Sequence, residues 1–321
     1  MMDTLSEVLR AVRLTGAVFF AVDASAPWVA ETPSASTVGA MVMPGVEHII
    51  SYHVIASGTC WGGLLDEPAI KLEAGDIIVF PQGDPHVISS APGMRTPPDL
   101  RAYEAVINSP APVALSIRGT AAKHEQVVCG YLGCDARPFN PLLATLPRIM
   151  HLRPQGESDP LHRLVELAVA ESSKPRDAGG LCVLNKLSEL LFVEVVRRYV
   201  AQLPPEGVGW FAGLRDENIG KALQKLHERP ADDWSLEGLA KECGLSRSVL
   251  AERFAELVGV PPIQYLAQWR IQLAATLLRD GKASLAEIAE RVGYGSEAAL
   301  SRAFKRQVGV APALYRRRDV A

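Results

Sequence analysis

Hydrophobic and polar positions divide the chain into three zones of different period. Up to about residue 150, apolar residues come in short alternating runs between Gly- and Pro-rich turns. His48 to Ala56, Ile77 to Phe80, His86 to Ser89 and Gln126 to Cys129 are predicted strands, with turns at Pro81 to Pro85 and Ala91 to Pro98. The apolar run Gly16 to Val22 reads as a strand, not a signal peptide, because it is short, has acids nearby and lacks a clean cleavage site. A helix opens the chain, where Thr4 and Glu7 have the spacing of a capping box. Many short strands with such turns predict a sandwich or small barrel.

From about 158 to 203 the period becomes helical. Leu161, Leu164, Val165 and Ala168 recur at steps of a helix turn, as do Leu184, Leu187, Leu190, Leu191, Glu194 and Val195, with one polar break. Two amphipathic helices here pack either within the chain or on a second copy of it. Leu203-Pro204-Pro205-Glu206-Gly207 ends the zone as a helix stop and linker. The remainder, 214–321, is helix with Gly breaks, which gives three expected parts: 1–157, 158–213 and 214–321.

The last part contains an internal repeat. Phe254, Gly259-Val260, Pro262 and Tyr265 recur at a constant offset as Phe304, Gly309-Val310, Pro312 and Tyr315. Upstream, Ala240 and Gly244 recur as Ala289 and Gly293 at an offset one residue shorter. Self-similarity at a fixed offset marks one structural unit used twice. Each copy spells a helix, a tight turn and a second helix. Ser235 caps the first helix, Ala240 is small where a helix must cross closely, and Gly244 supplies the left-handed turn residue. Ser246 then caps a helix with Leu250 and Phe254 inward. In the second copy Ser284 and Glu287 form a capping box, Ala289 and Gly293 repeat the contact and turn, and Ser296 opens a helix with Leu300 and Phe304 inward. The outward residues are Arg247, Ser248, Ala251 and Glu252, and then Ser296, Glu297, Ala298, Ser301, Arg302 and Lys305. Such faces fit a major groove, polar side chains reading base edges and cations meeting phosphate.

The stretch Arg270-Ile271, Ala274-Ala275, Leu278, Leu285, Ile288-Ala289, Gly293-Tyr294, Leu300, Phe304 and Gly309-Val310-Ala311-Pro312 resembles the signature of AraC/XylS-type transcription regulators, over the whole third zone. The resemblance implies two helix-turn-helix units joined by a long helix, here Pro262 to Arg279, reading successive major grooves of double-stranded promoter DNA. It also implies a homodimer with RNA polymerase as a further partner. Ala251 and Ala298, where longer side chains would read more, point to sparse direct readout and some reliance on DNA shape.

Gly75 to His86 matches the second cupin motif, Gly-x5-Pro-x-Gly-x2-His, with Ser90 in place of its closing Asn. Of the first motif only Gly58 remains: its Glu position falls at Ser51 and its His positions near Gly45 and Glu47. The front part therefore resembles a cupin barrel of the kind fused to AraC-type regulators, without the usual three-His, one-Glu metal set. A different set, His53, Cys60, His86 and Cys129, has the donors of a tetrahedral zinc site. The alternative is that both histidines are hydrogen-bonded barrel residues and the cysteines small buried groups. Cys129 and Cys134 are also candidates for a redox pair. Trp61, Phe80 and Tyr103 are candidate apolar walls for an unidentified small-molecule effector.

The five cysteines are sparse and odd in number, as expected of reduced thiols in a cytoplasm. No run of apolar residues is long enough to span a membrane. Net charge is −3, and only the C-terminal third leans basic, so charge alone does not mark a nucleic-acid binder. The expected class is α+β: an N-terminal cupin-like β-barrel, a helical connector and a C-terminal all-α domain with two helix-turn-helix units. The expected function is a sequence-specific DNA-binding regulator whose front domain senses a small-molecule, metal or redox signal. The rival is a metal-dependent cupin enzyme with a nucleic-acid-binding tail.

Overall fold

The computed structural model describes residues 3–101, 103–104, 113–174, 178–204 and 207–318, with backbone alone at 17–19 and 318. Along the chain, α1 (Thr4–Ala11) is followed by β1 (Thr15–Ser25), β2 (Val29–Thr32), α2 (Ala35–Val42) and β3 (His48–Ser57). Next come β4 (Thr59–Leu64), β5 (Ile70–Glu73), β6 (Ile77–Phe80), β7 (His86–Ser89), β8 (Val113–Ile117) and β9 (His124–Cys134). Then α3 (Pro141–Thr145), β10 (Met150–Leu152), α4 (Pro160–Ser172), α5 (Gly180–Gln202), α6 (Trp210–Arg215) and α7 (Glu217–Glu228). The rest is α8 (Leu236–Glu242), α9 (Arg247–Val258), α10 (Pro262–Arg279), α11 (Leu285–Arg291), α12 (Glu297–Val308) and α13 (Pro312–Arg318). Pro205 and Glu206 of the predicted linker lie outside the described residues.

By their contacts, residues 14–134 and 146–201 form one compact unit, and residues 1–13, 135–145 and 202–321 form another. The sequence zones put 1–13 and 135–145 with the strands; in the structure they pack with the helical C-terminal part.

The strand-rich unit holds two sheets. One has the order β10-β6-β3-β9-β1-β8, the other β2-β7-β4-β5. β1 and β9 run antiparallel from Thr15↔Gly133 to Ser25↔His124, and β8 joins β1 in parallel. Phe20, Ile55, Ile78, Phe80 and Tyr131 of one sheet and Cys60, Leu64, Leu72 and Ile88 of the other enclose the apolar core. Every strand predicted from alternation is present, and Gly16 to Val22 lies within β1.

The predicted helices α4 and α5 cover this unit. Leu161, Val165 and Ala168, and Leu184, Leu191 and Val195, are buried as the period requires, whereas Leu190 faces solvent. Helix α5 docks by a polar contact. Ser188 Oγ donates to Leu184 O at 3.0 Å, so the Tyr52 hydroxyl, 2.5 Å from the same oxygen, is the donor to it. The approach needs glycines: a Cβ at Gly130 would stand 2.2 Å from the Tyr52 ring, and one at Gly16 would stand 2.5 Å from Asn185 O.

In the helical unit, Asp3 caps α1, its carboxylate accepting from Leu5 N–H at 3.1 Å. Thr4 is already inside the helix and Glu7 pairs with Arg10, so the expected Thr4–Glu7 capping box does not form. The other predicted caps are present, and the long helix α10 runs over Pro262–Arg279 as expected.

Gly130→Ala is expected to lower the unfolding free energy by about 1–3 kcal/mol, because Tyr52 must leave Ser188 to make room. Urea denaturation measures this; unchanged stability would show that the contact has slack.

Candidate functional site

The two helix-turn-helix copies are built by the same local chemistry. Ser235 Oγ accepts from Gly238 N–H at 3.0 Å and opens α8; Gly244 at φ 71° makes the turn; Ser246 Oγ accepts from Val249 N–H at 3.3 Å and opens α9. In the second copy Ser284 and Glu287 cap reciprocally (2.7 and 3.2 Å), Gly293 turns at φ 78°, and Ser296 Oγ accepts from Ala299 N–H at 3.2 Å. Only glycine suits position 293 twice over, since a Cβ there would also lie 2.7 Å from Ala231 backbone. Leu250 and Phe254, and Leu300 and Phe304, are fully buried and fix which faces of α9 and α12 remain outside.

On those faces Arg247, Ser248 and Glu252 are exposed and Ala251 half-buried; Ser296, Glu297, Ala298, Arg302 and Lys305 are exposed and Ser301 half-buried. Nearby cations are committed elsewhere: Arg253 pairs with Asp216, Arg229 with Glu242, and Arg270 donates to Pro230 O and Asp232 O. Among the described residues, no ion pair engages Arg247, Arg302 or Lys305. Two residues of these faces were missed in the sequence. Val249 leaves 45 % of its surface exposed on α9, an apolar group of the kind that meets a thymine methyl. Arg306 is exposed beside Lys305. The signal for both was their place next to inward residues on a helix whose period was already known.

Inside the strand-rich unit, three of the four candidate metal donors form one hydrogen-bonded chain. His53 Nδ1 lies 2.8 Å from Cys129 Sγ, His53 Nε2 lies 2.8 Å from His86 Nε2, and His86 Nδ1 lies 2.9 Å from the Asp84 carbonyl. A carbonyl only accepts, so the proton on His86 is on Nδ1 and its Nε2 is the acceptor. His53 therefore donates from Nε2 and accepts at Nδ1 from the Cys129 thiol. Every proton in the relay is assigned by its far end. Phe80 stacks on His86 with ring centroids 3.7 Å apart.

This geometry does not fit the expected zinc. Cys129 addresses Nδ1 of His53 and His86 addresses Nε2, so they stand on opposite edges of one ring and do not converge on a common point. Among the described residues no group of three or more His, Cys, Asp or Glu side chains is placed to hold a metal ion. The cysteine pair fails too: Cys129 and Cys134 are five positions apart on β9, so they point to opposite faces about 16 Å apart. Burial pushes the Cys129 thiol well up and the Cys60 thiol to about 12, which keeps both protonated. Of the expected apolar walls, Phe80 and Tyr103 are in the core; Trp61 follows inward-facing Cys60 on β4 and falls on the other face.

Burial pushes His86 down to about 4 and His53 well below its ordinary value, so both are neutral when folded. With unfolded values near 6.5, the unfolded chain binds more protons below that pH. Stability is then full at pH 7 and falls as pH drops through 6.5. The His86 contribution is expected to cost about 2 kcal/mol by pH 5, and His53 acts in the same direction. The unfolding free energy at pH 7 and pH 5 measures this; equal values would contradict the neutral relay.

Comparison with known proteins agrees with both halves. A family model described as Cupin matches residues 3–201, and one described as Helix-turn-helix domain matches residues 239–318. An AraC-like transcription regulator of Streptomyces lividans is 33% identical over 84% of this chain and 87% of its own length. The HTH-type transcriptional regulator AlkR of Acinetobacter baylyi is 28% identical over 99% of this chain and 100% of its own. The DNA-binding domain of AdpA, solved with a target DNA, is 32% identical, covers 32% of this chain and 93% of that one, and superposes with a TM-score of 0.31. A chain that carries a paired helix-turn-helix behind a cupin half, and keeps this identity across most of a regulator's length, belongs to the AraC-type DNA-binding transcription regulators.

Proposed function

We propose that this regulator reads promoter DNA through both repeats of one chain, α9 and α12 entering successive major grooves, and that its front unit answers to a small organic molecule. The observation that carries the DNA half is the pair of capped helices whose outward cations Arg247, Arg302 and Lys305 have no acidic partner among the described residues. Ser248, Ser301 and Val249 then supply direct readout, with Ala251 and Ala298 leaving room for DNA shape.

For the signal, an organic effector is favoured over a metal or an oxidant. The relay's donors do not converge on a metal, and its thiol is held protonated. A cleft of about 550 Å³, lined by Gly39, His48, Gln82, Gly83 and Asp84 among others, is of ligand size. Asp84 also ends the relay, so a ligand seated there bears on the buried histidines. Such a ligand acts only by favouring one arrangement of the protein over another.

A second copy of the chain is the expected partner of α5. Val183, Leu187 and Leu190 recur there at helical spacing, and Val183 and Leu190 are 46% and 49% exposed. RNA polymerase at the promoter, in the cytoplasm, completes the setting of this reading. The metal-dependent enzyme reading finds no ligand set among the described residues, and the relatives are named as transcription regulators.

DNA enriched by the chain from a random-sequence pool serves as the probe. Arg247→Ala and Arg302→Ala are each expected to weaken binding by about 10- to 100-fold in fluorescence anisotropy, with circular dichroism unchanged. Wild-type affinity in both folded variants would contradict the groove assignment.

A further inference from the structure

The two repeats are alike in fold, but their tyrosines are held differently. Tyr265 stands edge-on to Phe254, centroids 5.7 Å apart. Its hydroxyl accepts from Trp210 Nε1 at 2.8 Å and lies 2.8 Å from His227 Nε2. Those partners sit on α6 and α7, packed around the first repeat. Tyr315 stands edge-on to Phe304 in the same way, at 5.2 Å. Its hydroxyl accepts instead from Arg279 Nη2, and the guanidinium lies 5.0 Å from its ring centroid.

The other edge of that guanidinium donates from Nη1 to the carboxylate of Asp135. Asp135 belongs to neither repeat. It is the residue immediately after β9, and its N–H donates to Val12 O at 2.8 Å. The side chains of Arg279 and Asp135 are only 5% and 13% exposed. A planar guanidinium matches two partners at once, and a buried charge that loses one is left uncompensated.

Arg279 is not isolated on its helix. Gln272, Thr276 and Arg279 share one face of α10 at steps of four and three residues. Gln272 is fully buried with both ends of its amide used: Nε2 donates to Ala11 O at 3.0 Å and Oε1 accepts from Phe139 N–H at 3.0 Å. Thr276 Oγ1 donates to Ala11 O at 3.3 Å. One polar stripe of the helix that joins the repeats thus meets Ala11, Asp135 and Phe139.

We infer that Arg279 is a positioning residue for DNA recognition: held by Asp135, it fixes Tyr315 and with it the presentation of α12, so that the second groove contact depends on the Asp135–Arg279–Tyr315 chain. The first repeat's tyrosine is held from α6 and α7, with Phe139 edge-on to it at 5.3 Å, and none of these contacts runs through Arg279 or Asp135. The inference rests on the reading that both repeats bind DNA, and it names the residues through which the second contact is adjusted.

The test is a hydroxyl-radical footprint of the full chain on DNA enriched from a random-sequence pool. Arg247→Ala and Arg302→Ala first assign the protected segments, each losing the one its own helix covers. Tyr315→Phe removes only the hydroxyl and leaves the Phe304 contact, so it folds even if Arg279→Met does not. Both variants are expected to lose the α12 segment while keeping the α9 segment, with overall affinity down on the order of tenfold. Asp135→Asn is expected to act in the same direction in the wild-type background and to add nothing to Tyr315→Phe. Unchanged protection in folded Tyr315→Phe, or equal loss of both segments, would overturn the inference. A wild-type chain that enriches no sequence would overturn the DNA reading beneath it.

Discussion

Helix α10 is apolar around most of its circumference, and the helical unit is the solution to covering it. Tyr265, Leu266, Trp269, Ile271, Ala274, Ala275 and Leu278 are all buried, more than one amphipathic stripe accounts for. Its N-terminal half is covered by the first repeat and its C-terminal half by the second, through Phe254 on Tyr265 and Ile271, Ala275 and Leu278 in the core of α11 and α12. Gln272, Thr276 and Arg279 share a polar stripe whose partners include Ala11, Asp135 and Phe139. One helix therefore joins the two repeats and also receives the chain segments that flank β1 and β9.

Much of this was visible in the amino-acid order. The repeat from Phe254 to Tyr265 and from Phe304 to Tyr315 placed both helix-turn-helix units, because a tight turn demands glycine and a helix start favours serine at fixed offsets. Alternation found the strands for the same reason: the core admits one side of each. What stayed hidden depends on long-range encounters. Nothing near Asp135 or Ala11 announces that Arg279 and Gln272 will meet them. Asp3 took the cap expected of Thr4 and Glu7 because a residue with extended backbone just before the helix competes better than one inside it.

The strand-rich unit shows how a donor inventory misleads. His53, His86 and Cys129 do come together, as their strand parity implies, yet they meet in line instead of around a point. A hydrogen-bonded relay uses both nitrogens of a ring, whereas a metal site needs one nitrogen of each ring aimed at a common centre. Sequence spacing gives the strand and the face but not which edge of an imidazole a neighbour addresses. The second cupin motif persists here as a turn that carries His86 and Asp84 and ends the relay.

The central claim is that one chain spans two successive major grooves with a fixed separation set by α10. The most direct measurement is affinity for the enriched DNA after five base pairs, about half a helical turn, are inserted between the two contacted segments. A rigid pair of recognition helices predicts that binding falls to the level of a single engaged repeat, because the second groove now faces away. Binding equal to that of the uninterrupted DNA would contradict the account.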